Sequence, residues 1–146
     1  MALTYDDISS FMKSYFPAYS EKGQTAETQH VMDSFYAEEI YFDENTPTRR
    51  EDWYSSCRAH PEVQDKITLE HLVVDEKQQE AVALVTTQAI ERSTGKVLVE
   101  MKLSCMYAFK ADERKNIRIT HIKIYLEPNP HKSVELARAY NIGGRG

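Results

Sequence analysis

Four long segments with alternating apolar residues fill most of the second half of the chain. Short polar turns separate them, and they cover residues 67–75, 81–92, 96–110 and 117–127. Alternation with a period of two is typical of a β-strand that buries one face. Short turns between successive strands indicate antiparallel neighbours. The sequence therefore predicts a four-stranded meander with one packed face and one partly hydrated face.

The third of these segments has the most regular alternation. Charged residues such as Glu100 and Lys102 occupy one of its faces. Seven residues share the other face, which we expect to lie against the core: Val97, Val99, Met101, Leu103, Cys105, Tyr107 and Phe109.

The start of the chain is typical of an amphipathic helix. Thr4 is a good N-cap residue, and the aspartates that follow it suit the first turn of a helix. Pro17 lacks an N–H group for the helical hydrogen bond, so we expect a kink or an early end there. Gly23 closes the segment. Before it, six apolar residues recur at a spacing of three or four: Ile8, Phe11, Met12, Tyr15, Phe16 and Tyr19.

A second helix, a short strand and a third helix are predicted before the meander. The second helix should begin near Thr25, and the short strand should cover residues 40–43. Thr48 and Glu51 have the spacing of a capping box, which predicts a third helix from residue 49 to about residue 60. This order of elements predicts an α+β fold with helices packed on one face of a curved sheet.

The length of the chain predicts a single domain. Domains commonly contain about 100–150 residues, and this sequence has 146. We expect residues 1–146 to form one unit, with a core from about residue 5 to residue 127. A C-terminal helix and tail should follow in residues 128–146.

Charge and composition disfavour several partners. The net charge of −5 disfavours binding to a phosphate backbone. No apolar run approaches the ~20 residues that cross a bilayer, and the first residues, MALTYDDISS, lack the pattern of a signal peptide. Cys57 and Cys105 have no CxxC spacing, so we expect reduced thiols in a cytoplasmic protein. The sequence therefore predicts binding to neither nucleic acid nor membrane.

The order of elements around residues 35–44, FYAEEIYFDE, resembles the NTF2-like superfamily. In this stretch a helix passes into a very short strand that ends on Asp43 and Glu44. The superfamily includes ketosteroid isomerases, scytalone dehydratases and SnoaL-type polyketide cyclases. The resemblance implies an NTF2-like cone, in which a curved and mostly antiparallel sheet encloses a pocket. It covers roughly residues 5–127, and it implies no substrate because this fold hosts unrelated activities.

Asp43 and Glu44 are the first candidates for catalysis. Desolvation at the end of a strand in an apolar cone would raise a carboxyl pKa toward the range of a general acid or base. Only one of two adjacent strand residues can point inward, and we expect this to be Glu44, with Asp43 as the alternative. The resemblance to ketosteroid isomerases places Glu44 at their catalytic aspartate. A solvated turn before the third helix is the structural alternative.

His71 is the second candidate. It lies in the first long strand, two residues from Leu69 and from Val73, so regular alternation places all three on one face. This segment resembles the strand of scytalone dehydratases that carries a catalytic histidine. A histidine in such a cavity could shuttle a proton. The alternatives are a histidine bonded to backbone or one that faces solvent.

Tyr15 and Tyr19 belong to the apolar stripe of the first helix. The resemblance to ketosteroid isomerases places Tyr15 within one residue of a tyrosine that donates a hydrogen bond to an enolate oxygen. In those isomerases a protonated aspartate is the second donor, whereas here the second position falls near Cys105, a weak donor. Ordinary core packing is the alternative for both tyrosines.

Several other side chains are expected to line a ligand cavity if the cone encloses one: Trp53, Met101, Cys105, Tyr107 and His121. The inward face of the last strand, and therefore the direction of His121, stays open. The five histidines have no metal-ligand spacing, and cofactor-binding motifs are missing. The sequence therefore predicts neither a metal nor a cofactor.

These observations lead to two functional expectations. The first is a cofactor-independent lyase, isomerase or cyclase that transfers protons in a small hydrophobic carbonyl or phenolic compound, resembling a polyketide or terpenoid. The second is a non-catalytic module that binds a ligand or a protein. We also expect a homodimer through the outer face of the sheet, since apolar residues such as Leu98, Met106 and Ala108 interrupt the charges there.

Overall fold

A computed structural model describes residues 2–125 and Arg138. Within residues 2–125, two α-helices and one 3-10 helix accompany six strands. The helices are α1 (Tyr5–Lys22), a 3-10 helix (Gln29–Ser34) and α2 (Arg50–Cys57). The strands are β1 (Tyr36–Tyr41), β2 (Pro47–Arg49), β3 (Val63–Asp75), β4 (Glu80–Glu91), β5 (Val97–Ala111) and β6 (Ile117–Tyr125).

The six strands form one sheet in the order β2-β1-β6-β5-β4-β3. The predicted meander of β3 to β6 is confirmed, with antiparallel pairing between successive strands. The strand β1 joins this meander by parallel pairing with β6, in which Tyr36 lies opposite Ile119. The predicted α+β class is confirmed as a helical layer on a curved, mostly antiparallel sheet.

The helix α1 begins after its predicted N-cap, Thr4, and Gly23 closes it as the sequence predicts. The Thr4 side chain accepts a hydrogen bond from the Asp7 N–H, and the Asp7 side chain accepts one from the Thr4 N–H. Pro17 lies inside the helix, so the expectation of an early end was wrong. The helix continues to Gly23 because Phe16 and Tyr19, on either side of the proline, are buried in the core and outweigh one lost hydrogen bond.

The second predicted helix is shorter than expected. Only residues 29–34 form a helix, of the 3-10 type, and Tyr36 already belongs to β1. The extended chain begins this early because the Phe35 carbonyl accepts a hydrogen bond of 2.7 Å from the Ile119 N–H on β6. Tertiary pairing therefore overrides the local helical pattern.

The predicted capping box at Thr48 was also wrong. Thr48 pairs with Ile40 between β2 and β1, and Arg49 is the N-cap of α2 with no side-chain cap hydrogen bond. The helix ends at Cys57, before the predicted end near His60.

The long strands match their predicted positions, except that β3 begins at Val63 rather than at residue 67. The alternating face of β5 is confirmed from Val99 to Phe109, but Val97 at the start of the strand is exposed, beyond a shift in the register with β4. The predicted C-terminal helix and tail lie outside the described residues, apart from Arg138. None of the helices in the described part of the chain is long and apolar enough to span a membrane.

Candidate functional site

Aromatic side chains fill the space between α1 and the inner face of the sheet. The Tyr15 and Tyr36 hydroxyl oxygens lie 2.8 Å apart in a buried hydrogen bond. The Tyr15 ring also packs edge-on against Phe16 and Tyr107, with ring centres 5.0 and 5.8 Å away. Burial raises the pKa of Tyr15, Tyr36 and Tyr107 well above the ordinary value. The hydroxyls of this cluster therefore stay protonated at neutral pH.

Three predicted pocket residues belong to this core. Met101, Cys105 and Tyr107 are buried on β5, and burial raises the pKa of the Cys105 thiol. Both cysteines of the chain are free thiols.

A pocket of about 200 Å³ opens beside this core, where the C-terminal end of α1, the helix α2 and the start of β3 meet. The pocket is lined by Tyr19, Gln24, Trp53, Ser56, Cys57, His60, Val63 and Asp65. The Tyr19 hydroxyl oxygen lies 4.0 Å from the Cys57 sulfur. Burial raises the pKa of the Cys57 thiol to about 12, so this group is a weak hydrogen-bond donor rather than a nucleophile.

Asp65 brings a carboxylate to the inner face of the sheet. The same alternation buries Val63 and places Ile67 against the core. Opposite Asp65 on β4 lies Ala89, whose small side chain leaves space above it. The Asp65 side chain is partly buried, so it forms part of the pocket wall and a ligand in the pocket can reach its carboxylate.

The backbone of Asp65 is fixed by the Gln24 side chain. The Asp65 N–H donates to the Gln24 Oε1 at 2.8 Å, and the Gln24 Nε2 donates to the Asp65 carbonyl at 2.8 Å. The same Nε2 donates to the Tyr19 carbonyl at the end of α1. The amide thus pairs with the edge of β3 as a neighbouring strand would, and it joins the helix to the pocket wall.

His60 places an imidazole in the same pocket. It follows α2, and its carbonyl accepts a hydrogen bond of 3.1 Å from the Val63 N–H. This contact turns the chain from the helix into β3 and directs the histidine side chain to the pocket. A carboxylate and an imidazole can each accept or donate a proton, so the pocket holds two groups suited to acid–base chemistry.

The sequence matches no family model and no curated protein. Several solved structures share its fold. AclR, a putative hydroxylase from Streptomyces galilaeus, has a TM-score of 0.61 at 11% identity, covering 93% of this chain and 97% of its own. An LEH-like epoxide hydrolase from M. tuberculosis has a TM-score of 0.60 at 12% identity, covering 92% and 87%. TsrD from Streptomyces laurentii has a TM-score of 0.60 at 16% identity, covering 94% and 97%.

These matches span nearly the whole of both chains. The chain has the NTF2-like fold. At such low identities the likeness establishes the fold alone. The resemblance predicted from residues 35–44 is therefore confirmed at the level of the fold.

Within the NTF2-like fold, Asp43 and Glu44 lie outside the cone. Both follow the end of β1 at Tyr41, in a turn at the surface. The Asp43 Oδ1 accepts hydrogen bonds from the Thr46 and Asn45 N–H groups, which lower its pKa. The Glu44 carboxylate accepts a hydrogen bond of 2.7 Å from Lys123, which lowers its pKa. The expected desolvated carboxylate was wrong here because the strand ends too early, and the solvated turn is what forms.

His71 lies on the outer face of the sheet. A β-bulge between Leu69 and His71 leaves Glu70 with no residue opposite it on β4. The extra residue reverses the alternation, so Leu72 continues the inner face and His71 turns outward. The expected inward histidine was wrong for this reason. His71 instead lines an open groove of about 980 Å³ between α1 and β3, together with charged residues such as Lys13 and Glu70.

A second bulge sets the direction of His121. It falls between Ile119 and His121 on β6, where the register with β5 shifts. Ile119 is buried, whereas His121 stacks on Tyr41 with ring centres 5.0 Å apart and hydrogen-bonds to the Thr120 hydroxyl at 2.8 Å. His121 therefore belongs to the outer surface and not to the pocket.

Of the predicted site residues, Tyr19 and Trp53 line the pocket, and Tyr15 lies in the core beside it. Sequence reasoning missed Asp65 and His60. The signal for Asp65 was available, since the alternation of β3 extends backward from Ile67 through Asp65 to Val63. For His60 the sequence contained no comparable signal, because its direction depends on how α2 ends.

Proposed function

We propose that this chain is an enzyme that transfers protons in a small hydrophobic carbonyl or phenolic compound. The observation that carries this proposal is the meeting of Asp65 and His60 in one pocket with aromatic walls from Tyr19 and Trp53. The reaction class is that of a lyase, isomerase or cyclase without a cofactor. The enzymes among the solved structures of the same fold support a catalytic use of this pocket by analogy.

The proposed reaction begins with Asp65 as the general base. Its carboxylate removes a proton from the carbon next to the substrate carbonyl. The electron pair of that C–H bond forms a C=C bond, and the π pair of the carbonyl moves to its oxygen, which gives an enolate. His60 donates a proton to this oxygen or to a leaving hydroxyl group. The Tyr19 hydroxyl lines the same pocket, and by turning from its long 4.0 Å contact with the Cys57 sulfur it would donate a hydrogen bond to this oxygen, a source of transition-state stabilisation.

These roles differ from those expected for Asp43, Glu44, His71 and Tyr15. The first three lie outside the pocket, and the hydroxyl of Tyr15 is engaged with Tyr36. Groups in the pocket are better placed for proton transfer because a substrate must come within hydrogen-bond distance of its base.

The volume of the pocket limits the size of the substrate. Typical ligand pockets measure about 300–1,000 Å³, and this one measures about 200 Å³. Its aromatic walls favour a flat ring system. We therefore propose a substrate with one or two fused rings, or the reactive end of a longer molecule.

Proton exchange tests this proposal directly. Small ketones that contain an aromatic ring, such as acetophenone, 1-indanone and 2-tetralone, are incubated with the protein in D₂O, and loss of the protons next to the carbonyl is followed by NMR. We expect the protein to exchange these protons faster than buffer alone does. Asp65→Asn and His60→Gln should each lower the rate of catalysed exchange at least about 100-fold. The matched controls Asp43→Asn and His71→Gln should keep the wild-type rate.

Binding is measured in the same samples, because Trp53 is the one tryptophan of the sequence and lines the pocket. Ketones that quench its fluorescence without any catalysed exchange would favour the non-catalytic binding module. Exchange that survives Asp65→Asn would show that another base acts, and the assignment of Asp65 would then be wrong.

We also propose a homodimer through the outer face of the sheet. Exposed apolar side chains lie close together there on neighbouring strands. Val73 lies opposite Val82 across β3 and β4, and the next row connects Leu84 through Ser104 to Tyr125. An exposed apolar patch of this kind favours association with another surface.

A further inference from the structure

Three side chains that can bind a metal ion meet on the surface between the 3-10 helix and α2. His30 and Asp33 come from the 3-10 helix, and Glu51 comes from the first turn of α2. One donor atom from each lies within 4.8 Å of the other two. None of the three lines the pocket that contains Asp65.

The distances within this cluster suit a small divalent cation. The His30 Nδ1 lies 3.5 Å from the Asp33 Oδ2 and 3.9 Å from the Glu51 Oε2. Ligand atoms on a tetrahedral zinc ion are roughly 3.3–3.5 Å apart, since each bond measures about 2.0–2.2 Å. His30 and Asp33 already meet this spacing. The Glu51 carboxylate, within 4.8 Å of the other two ligand atoms, has to move closer to both, and its long, exposed side chain allows this movement.

Asp33 is held in the orientation that a metal ligand requires. Its Oδ1 accepts a hydrogen bond of 2.6 Å from the Tyr54 hydroxyl and lies 3.3 Å from the Arg50 Nε. Its Oδ2 is thereby directed to His30. The His30 ring is itself placed edge-on against Tyr54, with ring centres 5.5 Å apart. Outer groups that orient the ligands in this way are usual around metal sites.

We propose that His30, Asp33 and Glu51 bind a divalent cation of the zinc type, with water completing the coordination. One imidazole nitrogen and two carboxylate oxygens suit zinc, cobalt or nickel better than magnesium or calcium, which prefer oxygen ligands alone. The bound cation ties the 3-10 helix to α2. It therefore steadies the helix that carries Trp53 and Cys57 in the pocket.

Arg50 opposes this binding, because its guanidinium group lies beside Asp33. The opposition is limited, since Arg50 contacts the oxygen that faces away from His30 and also donates to the Tyr36 carbonyl at 3.2 Å. Removing the charge gives a distinctive expectation. If the three side chains bind a cation, Arg50→Gln should raise their affinity for the metal several-fold. If ion pairs alone hold the three side chains together, the same change should weaken their contacts with one another.

The test is a titration of the metal-free full chain with Zn²⁺ by calorimetry and with Co²⁺ by visible absorption. We expect one binding site, a cobalt spectrum in the visible range and a rise in Tm on adding Zn²⁺. His30→Gln and Glu51→Gln should each lower the affinity at least about tenfold. The matched controls His71→Gln and Asp52→Asn change an exposed histidine and the neighbouring acid of α2, and they should bind as wild type does.

Two results would overturn the proposal. One is the absence of binding heat and of a cobalt spectrum in the wild-type protein. The other is binding that persists in His30→Gln and Glu51→Gln, which would place the cation elsewhere on the chain. Circular dichroism of each variant without metal separates a lost ligand from a lost fold.

Discussion

The hydroxyl groups of Tyr15 and Tyr36 form a buried pair, which gives Tyr15 a structural role in the core. Both rings are buried, and each hydroxyl has the other as a partner at 2.8 Å. Tyr15→Phe removes one hydroxyl and takes from the other its partner in the core. We expect a loss of about 1–2 kcal/mol in the free energy of unfolding, measured with urea.

The matched control is Tyr5→Phe, since Tyr5 is 52% exposed. It should change the free energy of unfolding by less than about 0.5 kcal/mol. If Tyr15→Phe unfolds like wild type but loses proton exchange, the hydroxyl acts in catalysis and its assignment to the core is wrong.

Glu44 and Lys123 form a surface pair with a defined pH dependence. The hydrogen bond from Lys123 lowers the pKa of Glu44, and the same bond raises the pKa of Lys123. The contribution of Glu44 to stability is therefore present above its unfolded pKa and is lost as the pH falls through its folded pKa. An NMR titration should give a Glu44 midpoint below its ordinary value. Lys123→Met should raise this midpoint, whereas Lys102→Met should leave it unchanged.

The site residues illustrate what a sequence pattern can predict. Tyr19 was predicted because helical spacing determines which side of a helix faces the sheet, and Trp53 because a cone with a cavity must line it with large side chains. Asp43 and Glu44 were misplaced because the end of β1 depends on its pairing with β6 and β2. Such pairing joins distant parts of the chain, so no local pattern contains it.

At the scale of elements, the side chain of Gln24 holds α1 to the edge of β3. It makes two hydrogen bonds with Asp65 and one with the Tyr19 carbonyl. Gln24→Ala removes the side-chain hydrogen bonds to the Asp65 N–H and carbonyl in a part-buried place, whereas the Tyr19 carbonyl keeps its bond from the Gly23 N–H. We expect a cost of about 2–4 kcal/mol in the free energy of unfolding.

Gln78→Ala serves as the control for this change, because Gln78 is exposed and should cost less than about 0.5 kcal/mol. A cost below about 1 kcal/mol for Gln24→Ala would mean that water replaces the amide, and that Asp65 is held by other contacts.

The bulge in β3 makes a prediction about deletions. Deleting Glu70 removes the extra residue and leaves Leu69 and Leu72 on the inner face, so this variant should fold with near wild-type stability. Deleting Thr68 instead either turns Glu70 into the core or turns Val63, Asp65 and Ile67 outward. We expect a loss of at least about 3 kcal/mol, because an unpaired charge would be buried. Urea unfolding compares the two variants, and equal losses would contradict the bulge.

The two bulges also explain why strands were easier to predict than the faces of their residues. Alternation located β4, β5 and β6 closely, because it persists over many positions. A bulge changes the register by one residue and reverses every side chain beyond it. His71 and His121 both follow a bulge, so their directions could not be read from regular alternation.

At the scale of the whole molecule, the outer face of the sheet makes a prediction about assembly. A stable interface buries roughly 800 Å² on each partner, and a charge in its centre opposes association. We expect a dimer by light scattering at micromolar concentration and a monomer for Leu84→Glu. Lys13→Glu changes an exposed residue of α1, on the opposite side of the sheet, and should stay dimeric. A wild-type monomer would exclude this interface.

The parallel pairing of β1 with β6 has a consequence for how the chain folds. Strands β3 to β6 pair with their neighbours in sequence, so they can assemble by short loop closures. The strand β1 must wait for β6, the last described strand, and β2 pairs with β1 alone. Such distant contacts form slowly. During synthesis, β1 therefore leaves the ribosome well before its partner exists. The amides of β1 and β2 should be the last in the sheet to gain protection in pulse-labelled hydrogen exchange.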